Sequence, residues 1–256
     1  GANLANRDLI YLGVSGDGDS ASIGLGQFAH SIRRGVNMVY IVENNGVYGL
    51  TKGQFSATSD KGSKSKRGAV NFDAAIDLVG MALQLGASFV ARSFSGDKAQ
   101  LVPLIKAAIL HKGAAFIDCI SPCVAFNNHL GSTKSFDFVR EHNEVVNRLD
   151  VIMGHSEITA DYAPGTVESV TQHDGSVLRL RKLAPEYDAH DRIAAIAYLQ
   201  ERQAAGEIVT GLLYVDRESS DLHDHLETVE APLNTLGEAE LCPGAEALER
   251  LNAGLR

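Results

Sequence analysis

The sequence is poor in several residue types, and each scarcity excludes a class of protein. Its 256 residues include no tryptophan and only three cysteines, Cys119, Cys123 and Cys242. Three scattered cysteines do not make a disulfide framework, which favours a reducing compartment. No apolar run reaches the length of about 18 residues that a membrane span requires, and the amino terminus lacks the layout of a signal peptide. We therefore expect a cytoplasmic protein with no membrane partner.

Basic residues are too few and too dispersed for a nucleic-acid-binding surface. The chain has 23 Lys and Arg residues against 32 Asp and Glu residues, which gives a formal net charge of −9. Nucleic-acid-binding domains are usually basic and cluster Lys and Arg on one face. We therefore expect no nucleic-acid partner, and any bound phosphate must be held by a local site.

Short apolar runs separated by amphipathic segments dominate the first part of the chain. LIYLGV, NMVYIVE, SFVARS and AAFIDCI alternate with helical patterns over residues 20–34, 73–85 and 98–111. This alternation predicts an α/β fold with a mostly parallel sheet flanked by helices. We assign it to a domain spanning residues 1–150, whose opening residues suggest that an amino-terminal part is missing.

Residues 151–256 are predicted to form a carboxyl-terminal extension. TVESVTQHDGSVLRLRK resembles a hairpin that turns at Asp174 and Gly175, and it precedes a helical pattern over residues 191–204 and the buried strand VTGLLYV. The acidic tail is expected to pack on the domain or on a partner subunit. A further helix is predicted over residues 136–149.

The segment SGDGDS, at the end of the first apolar run, places negative charge where it is costly to bury. A tight turn, a metal site, or both would explain it. Gly16 and Gly18 permit a sharp turn, and a helix beginning near Ser20 would direct its amino terminus at an anion such as a diphosphate. Asp17 would repel that anion unless a divalent cation lay between them, and Mg²⁺ prefers such oxygen ligands.

The next strand ends in a second oxygen-rich pair, Asn44 and Asn45. Neighbouring parallel strands present their carboxyl ends at the same edge of a sheet, so Asp17 and Asn45 are predicted to converge on one cation. GDG alone is most often only a turn. GDG followed by NN after one helical crossover is a more specific signal.

This compound pattern resembles the diphosphate-binding motif of thiamin diphosphate enzymes. GDGDSASIGLGQFAHSIRRGVNMVYIVENNGVYGLTKGQFSAT is similar to the β subunit of 2-oxoacid:ferredoxin oxidoreductases, as are SPCVAFNNHLGSTKS and, more loosely, LLYVDRESSDLHDHLETVEAPLN. The later segments are most similar to the branch that oxidises 2-oxoglutarate. The resemblance implies a thiamin diphosphate-binding fold.

The resemblance also implies the cofactor-binding residues, which all follow the first two strands. They are Gly16, Asp17, Gly18, Asp19, Asn45, Val47 and Thr51, with Gln54 as a weaker candidate. Asp17 and Asn45 would ligate Mg²⁺ through side-chain oxygens, and Val47 would do so through its carbonyl oxygen.

Cys123 matches one of the four cysteines that hold a [4Fe–4S] cluster in this family. Its three companions belong to an amino-terminal segment that the present sequence lacks. Either that segment has been lost together with the cluster, or the chain carries no cluster. Cys119 matches no ligand position and is predicted to be a buried strand residue.

The implied activity is the coenzyme A-dependent oxidative decarboxylation of a 2-oxoacid. For 2-oxoglutarate the products would be succinyl-CoA and CO₂, with electrons leaving through the cluster to ferredoxin. The activating glutamate lies on the partner α subunit in this family, so no catalytic base is assigned here, and an (αβ)₂ assembly is expected. His129 and Lys134 are hypothesised to bind the distal carboxylate.

Two other functions remain open at this point. One is a non-oxidative thiamin diphosphate-dependent decarboxylase or synthase, and the other is a non-catalytic scaffold subunit. Iron content would distinguish the first from an oxidoreductase, and failure to bind the cofactor would favour the second.

Overall fold

The computed structural model describes residues 1–48, 54–63, 69–121, 158–171, 177–242 and 244–255. In chain order the elements are α1 (Ala2–Ala5), β1 (Leu12–Gly16), a π-helix (Gly18–Ile23), α2 (Leu25–Arg33), β2 (Met38–Asn44), β3 (Val47–Tyr48), β4 (Gln54–Phe55), α3 (Leu78–Leu85), β5 (Phe89–Phe94), α4 (Lys98–Leu110), β6 (Ala114–Ile120), β7 (Val167–Thr171), β8 (Val177–Lys182), α5 (Arg192–Ala204), β9 (Ile208–Val215), α6 (Leu222–Leu226), a 3₁₀-helix (Leu233–Thr235), α7 (Glu238–Leu241) and α8 (Gly244–Gly254).

Seven of these strands form one sheet in the order β1-β2-β6-β5-β9-β8-β7. The first four strands in that order, β1, β2, β6 and β5, are parallel to one another. β9 pairs with β5 in the antiparallel direction, β8 is parallel to β9, and β7 closes the edge as the antiparallel hairpin partner of β8. The predicted α/β fold with a mostly parallel sheet is confirmed.

Helices cover both faces of the sheet. Successive side chains of a strand point to opposite faces, so apolar residues of the same strand pack against helices on both sides. On one face, α2, α3 and α5 bury a cluster around Val90 and Phe116, where the Phe28 ring meets the Phe116 ring edge-on at 5.1 Å between centroids. On the other face, α4 packs over Phe89 and Ile117. Apart from Asp118, the inner strand β6 therefore carries apolar side chains on both faces, as parallel strands usually do.

Two predicted helices differ from the structure at their amino-terminal ends. The helix predicted from residue 73 begins at Leu78, because the Asp77 carboxylate caps it by accepting a hydrogen bond from the Val79 N–H at 3.2 Å. The helix predicted over residues 20–34 is divided into the π-helix and α2. The two segments meet at Gly24, whose N–H donates to the Asp19 carbonyl.

The carboxyl-terminal strands continue the same sheet, and the predicted hairpin of β7 and β8 is confirmed by their antiparallel register. Its turn at Asp174 and Gly175, the helix predicted over 136–149 and the boundary near 150 lie outside the described residues. The boundary stays a prediction. Among the described helices, none is both long and apolar enough to cross a membrane.

Candidate cofactor and metal site

Asp17 lies between β1 and the π-helix, at the carboxyl edge of the sheet, and it is only 1% exposed. Its Oδ1 accepts a hydrogen bond from the Asn45 backbone N–H at 3.3 Å. Its Oδ2 accepts hydrogen bonds from the Thr58 hydroxyl at 2.6 Å and from the Ser56 hydroxyl. These donors stabilise a buried carboxylate that has no cationic side chain paired with it among the described ion pairs.

β1 and β2 are parallel neighbours, with Gly16 opposite Glu43, so the residues that follow them lie side by side. The structure therefore brings Asp17 and Asn45 together, as predicted from the sequence. The Asn45 side-chain oxygen accepts a hydrogen bond from the Val47 N–H at 3.0 Å. This contact closes a turn from Asn45 to Val47 directly after β2.

The Tyr48 ring leaves no room for a side chain at position 18. The Tyr48 hydroxyl donates to the Gly18 carbonyl at 2.9 Å, and a Cβ at position 18 would lie 2.4 Å from Cε1 of Tyr48. At Gly16 the nearest atom to an added Cβ would be Asp19 Oδ2 at 3.6 Å, which is an ordinary contact. A Cβ at position 16 would therefore meet no close contact.

Ser56 and Thr58 are site residues that the sequence reasoning missed. They reach Asp17 because the segment around Ser59 folds back over Gly46, a residue at φ +74°. The Ser56 N–H donates to the Gly46 carbonyl at 3.2 Å, and the Ser59 hydroxyl donates to the same oxygen. The signal that could have found them is the run of hydroxyl residues that ends the segment resembling the oxidoreductases.

A buried ion pair between β5 and β6 lies next to Asn44. Asp118 on β6 accepts from Arg92 Nε on β5 at 2.7 Å, and Arg92 Nη2 donates to Asp77 Oδ1 at 2.7 Å. Burial raises the pKa of the Asp118 carboxyl, against the opposing effect of Arg92. Burial disfavours the charged guanidinium, but Asp77 and Asp118 outweigh it and raise the pKa of Arg92.

The donor set at this edge fits a hard divalent cation. The predicted donors are the Asp17 carboxylate, the Asn45 amide oxygen and the Val47 carbonyl, and Mg²⁺ usually takes one or two carboxylates and completes its octahedron with phosphate and water. Within the part of the chain that the structure describes, no group of three or more His, Cys, Asp and Glu side chains could hold a metal.

The other predicted site residues divide into two groups. Thr51, Cys123, His129 and Lys134 lie outside the described residues. Cys119 is buried in β6, as predicted, and burial, with lesser contributions from Asp118 and Glu43, raises its pKa to about 12. Gln54 is exposed at the start of β4.

Comparison with known proteins gives sequence matches to a thiamine pyrophosphate-binding domain and to oxidoreductase β subunits, and a match in fold to a solved structure. Residues 1–119 match the thiamine pyrophosphate enzyme, C-terminal TPP binding domain. The 2-oxoacid:ferredoxin oxidoreductase subunit beta of Sulfolobus sp. is 45% identical over 129 residues, which are 50% of this chain and 42% of that protein. The 2-oxoglutarate oxidoreductase subunit KorB of Mycobacterium tuberculosis is 38% identical over 142 residues, which are 55% of this chain and 37% of that protein.

A solved structure extends the likeness of fold to nearly the whole chain. The 2-oxoglutarate:ferredoxin oxidoreductase from Magnetococcus marinus, with 2-oxoglutarate, coenzyme A and succinyl-CoA bound, matches with a TM-score of 0.62 at 24% identity over 93% of this chain and 68% of that chain. The chain spans less than half the length of the two curated relatives above. Over about half of its length, it is similar in sequence to the β subunits of 2-oxoacid:ferredoxin oxidoreductases, and the resemblance predicted from its motifs is confirmed.

Proposed function

We propose that this chain is the thiamin diphosphate-binding β subunit of a 2-oxoacid:ferredoxin oxidoreductase. One observation carries the proposal: the buried Asp17 carboxylate meets the backbone of Asn45 where two parallel strands end. A cation held there would neutralise both the carboxylate and a diphosphate. The thiamine pyrophosphate-binding domain matched by residues 1–119 supports the same assignment.

Each described site residue has a distinct part in holding the cofactor. Asp17 and Asn45 would ligate Mg²⁺ through side-chain oxygens and Val47 through its carbonyl, while the backbone of Gly16, Gly18 and Asp19 would lie against the diphosphate. The Asn45 amide oxygen has two lone pairs, so its bond from the Val47 N–H leaves one for the cation. Thr51, which lies outside the described residues, is also proposed to contact the cofactor.

Once bound, thiamin diphosphate supplies the carbanion-stabilising group that decarboxylation of a 2-oxoacid requires. The protein has to orient the cofactor and exclude competing reactions. Asp17 can orient the cofactor because three donor groups lie within hydrogen-bonding distance of its carboxylate. They are the Asn45 N–H, the Ser56 hydroxyl and the Thr58 hydroxyl. No general base is assigned to this chain, since the activating glutamate is expected on the α subunit.

We assign 2-oxoglutarate as the substrate, with succinyl-CoA and CO₂ as products and ferredoxin as the electron acceptor. The support comes from the 2-oxoglutarate relatives and from the fold shared with an enzyme whose structure contains 2-oxoglutarate, coenzyme A and succinyl-CoA. The proposal includes a [4Fe–4S] cluster ligated by Cys123 and an (αβ)₂ assembly in the cytoplasm. His129 and Lys134 remain the proposed partners of the distal carboxylate.

The test is to assemble the chain with its α subunit, then measure Mg²⁺-dependent thiamin diphosphate binding, iron content and 2-oxoglutarate-dependent ferredoxin reduction. Wild type should bind the cofactor, contain iron and reduce ferredoxin only when coenzyme A is present. Cofactor binding without iron or ferredoxin reduction would favour a non-oxidative thiamin diphosphate enzyme. Failure to bind thiamin diphosphate would contradict the proposal.

Asp17→Asn supplies the residue-level test, because an amide cannot neutralise the cation. We expect at least about a tenfold loss of Mg²⁺ affinity, the lower end of what metal-site perturbations cost. Asp221→Asn is the matched control: Asp221 is equally buried and accepts backbone hydrogen bonds, but it caps α6 away from the site. The control should bind Mg²⁺ and cofactor as wild type does.

A further inference from the structure

Thr58 links the proposed metal ligand to the interior of the sheet. Its hydroxyl oxygen lies 2.6 Å from Asp17 Oδ2 and 3.0 Å from Asn44 Oδ1. A threonine hydroxyl has one hydrogen, so Thr58 donates to Asp17 Oδ2 or to Asn44 Oδ1 at any one time and can rotate between the two acceptors. The Ser56 hydroxyl, 2.9 Å from the Thr58 hydroxyl, adds a second restraint on the same carboxylate oxygen.

Asn44 has only one orientation compatible with its neighbours. Its Nδ2 donates to Asp118 Oδ1 at 3.1 Å. Arg92 donates to the other oxygen of Asp118, so this carboxyl group acts as an acceptor, and the Asn44 amide nitrogen faces Asp118 while the amide oxygen faces Thr58. Asp118 thus determines which atom of Asn44 reaches the site.

Asp118 is in turn fixed by its own partners. It is fully buried, and Arg92 donates to its Oδ2 at 2.7 Å. Arg92 also binds Asp77, the residue that caps α3. A chain of contacts therefore runs from the amino terminus of α3 through two central strands to Asp17.

The two carboxylate oxygens of Asp17 have different surroundings. Oδ2 is held by two hydroxyls, whereas the described partner of Oδ1 is the Asn45 N–H at 3.3 Å. A charged hydrogen bond to a carboxylate usually spans about 2.7–2.9 Å, so the Oδ1 contact is long. Oδ1 is therefore the oxygen better placed to ligate a cation, with Oδ2 serving to orient it.

On the basis of the proposed function, we infer that Thr58 and Asn44 are positioning residues for the cation that binds the cofactor. Anchored on the Asp118–Arg92 ion pair, they hold Asp17 Oδ2 so that Oδ1 faces the metal. Partners of metal ligands act in this way in other metalloproteins, where their loss costs about 10- to 100-fold in metal affinity. Neither residue needs to contact the cation or the substrate.

The test measures Mg²⁺ affinity in the assembled αβ complex, by calorimetric titration at a fixed, saturating concentration of thiamin diphosphate. Thr58→Val keeps the shape of the side chain but removes the hydroxyl, and it should weaken Mg²⁺ binding by about tenfold or more. Thr58→Ser retains the hydroxyl and should stay within about twofold of wild type. The matched control is Thr210→Val in β9. It removes a buried hydroxyl that lies 2.6 Å from the Tyr162 hydroxyl.

Asn44→Leu tests the second link, because it removes both polar contacts at similar volume. It should weaken Mg²⁺ binding by a factor comparable to that of Thr58→Val, and the double variant should be no weaker than either single one, since both act by one route. Asn37→Leu is its control: Asn37 precedes β2 at the opposite end, where its Oδ1 accepts from the Gly113 N–H. Thr210→Val and Asn37→Leu should lower the melting temperature without changing Mg²⁺ affinity.

A purely structural role predicts the reverse pattern, with loss of stability and unchanged Mg²⁺ affinity in Thr58→Val and Asn44→Leu. That result, or independent multiplicative losses in the double variant, would overturn the inference while leaving the proposed function intact. Failure of the wild-type complex to bind Mg²⁺ and thiamin diphosphate would overturn both. If Asn44→Leu does not fold, the comparison of Thr58→Val with Thr58→Ser decides the matter.

Discussion

A phenol ring decides whether residue 18 can carry a side chain. The Tyr48 ring packs against Gly18 so closely that an alanine Cβ would lie 2.4 Å from its Cε1. We expect Gly18→Ala to lower the free energy of unfolding by about 1–3 kcal/mol, the usual cost of overpacking, and to weaken cofactor binding. Urea unfolding followed by circular dichroism measures the first effect.

Gly26→Ala provides the control for that substitution. Gly26 lies in α2 with nothing within 4 Å of an added Cβ. Alanine has the higher helix propensity by about 0.8–1 kcal/mol, so this variant should be as stable as wild type or more stable. Equal behaviour of the two alanine variants would show that the contact with Tyr48 does not constrain position 18.

The buried thiol of Cys119 should be unreactive. Burial raises its pKa from 9.0 to about 12, whereas Cys242 is exposed. Because the thiolate is the nucleophile, iodoacetamide at pH 8 should label Cys242 and spare Cys119 until the protein is unfolded. Peptide mass spectrometry reads out both sites, and equal labelling in the native state would contradict the burial of Cys119.

The same shift determines the direction of a pH effect. Between pH 9 and 12 the unfolded thiol is ionised while the folded thiol stays protonated, so the folded state binds the extra proton. Cys119 therefore contributes stability that is fully present below pH 9 and is lost as the pH rises towards 12. Cys119→Ala should reduce the alkaline loss of stability relative to wild type in unfolding measurements across this range.

At the scale of secondary-structure elements, four of the described helices begin at aspartate caps: Asp77 for α3, Asp97 for α4, Asp191 for α5 and Asp221 for α6. Each carboxylate accepts a hydrogen bond from a backbone N–H of the first turn, which would otherwise have no partner. The sequence located α4 and α5 well, because a cap residue directly precedes an apolar helical pattern in both cases. The start of α3 was wrong because the preceding residues are equally compatible with a helix.

Two of these caps should differ in strength. Asp191→Ala should lower the free energy of unfolding by about 1 kcal/mol, a typical cap contribution. Asp97→Ala should cost more, since Asp97 is buried and also pairs with Lys182, which would lose its partner. Urea titration of both variants checks the order, and a larger loss for Asp191→Ala would contradict it.

At the scale of the whole molecule, β9 makes the carboxyl-terminal strands part of one sheet. It pairs with β5, and its Leu213 is buried in the same cluster as Val90 and Phe116. Leu213→Ala should therefore lower the free energy of unfolding by about 2–5 kcal/mol, the range for a buried leucine. The amino-terminal strands should unfold with the carboxyl-terminal ones.

Hydrogen exchange read by mass spectrometry can follow β1 and β8 separately in that variant. Both strands should lose protection together, whereas Ile193→Ala, at a residue that is 80% exposed, should change neither. Faster exchange confined to β8 would mean that the carboxyl-terminal strands unfold on their own.

The sequence by itself determined most of the sheet strands and the two strand ends that meet. Hydrophobic period, turn residues and the GDG and NN pairs are local features, and parallel pairing of β1 with β2 is sufficient to bring Asp17 beside Asn45. Only the tertiary structure decided which side chains surround Asp17. Asn44 and Asp118 are 74 positions apart, and Thr58 follows Asp17 by 41. No periodicity connects such residues. Their contacts form only after β2, β6 and β5 have paired and the segment that carries Ser56 and Thr58 has packed against Asp17 and Asn44.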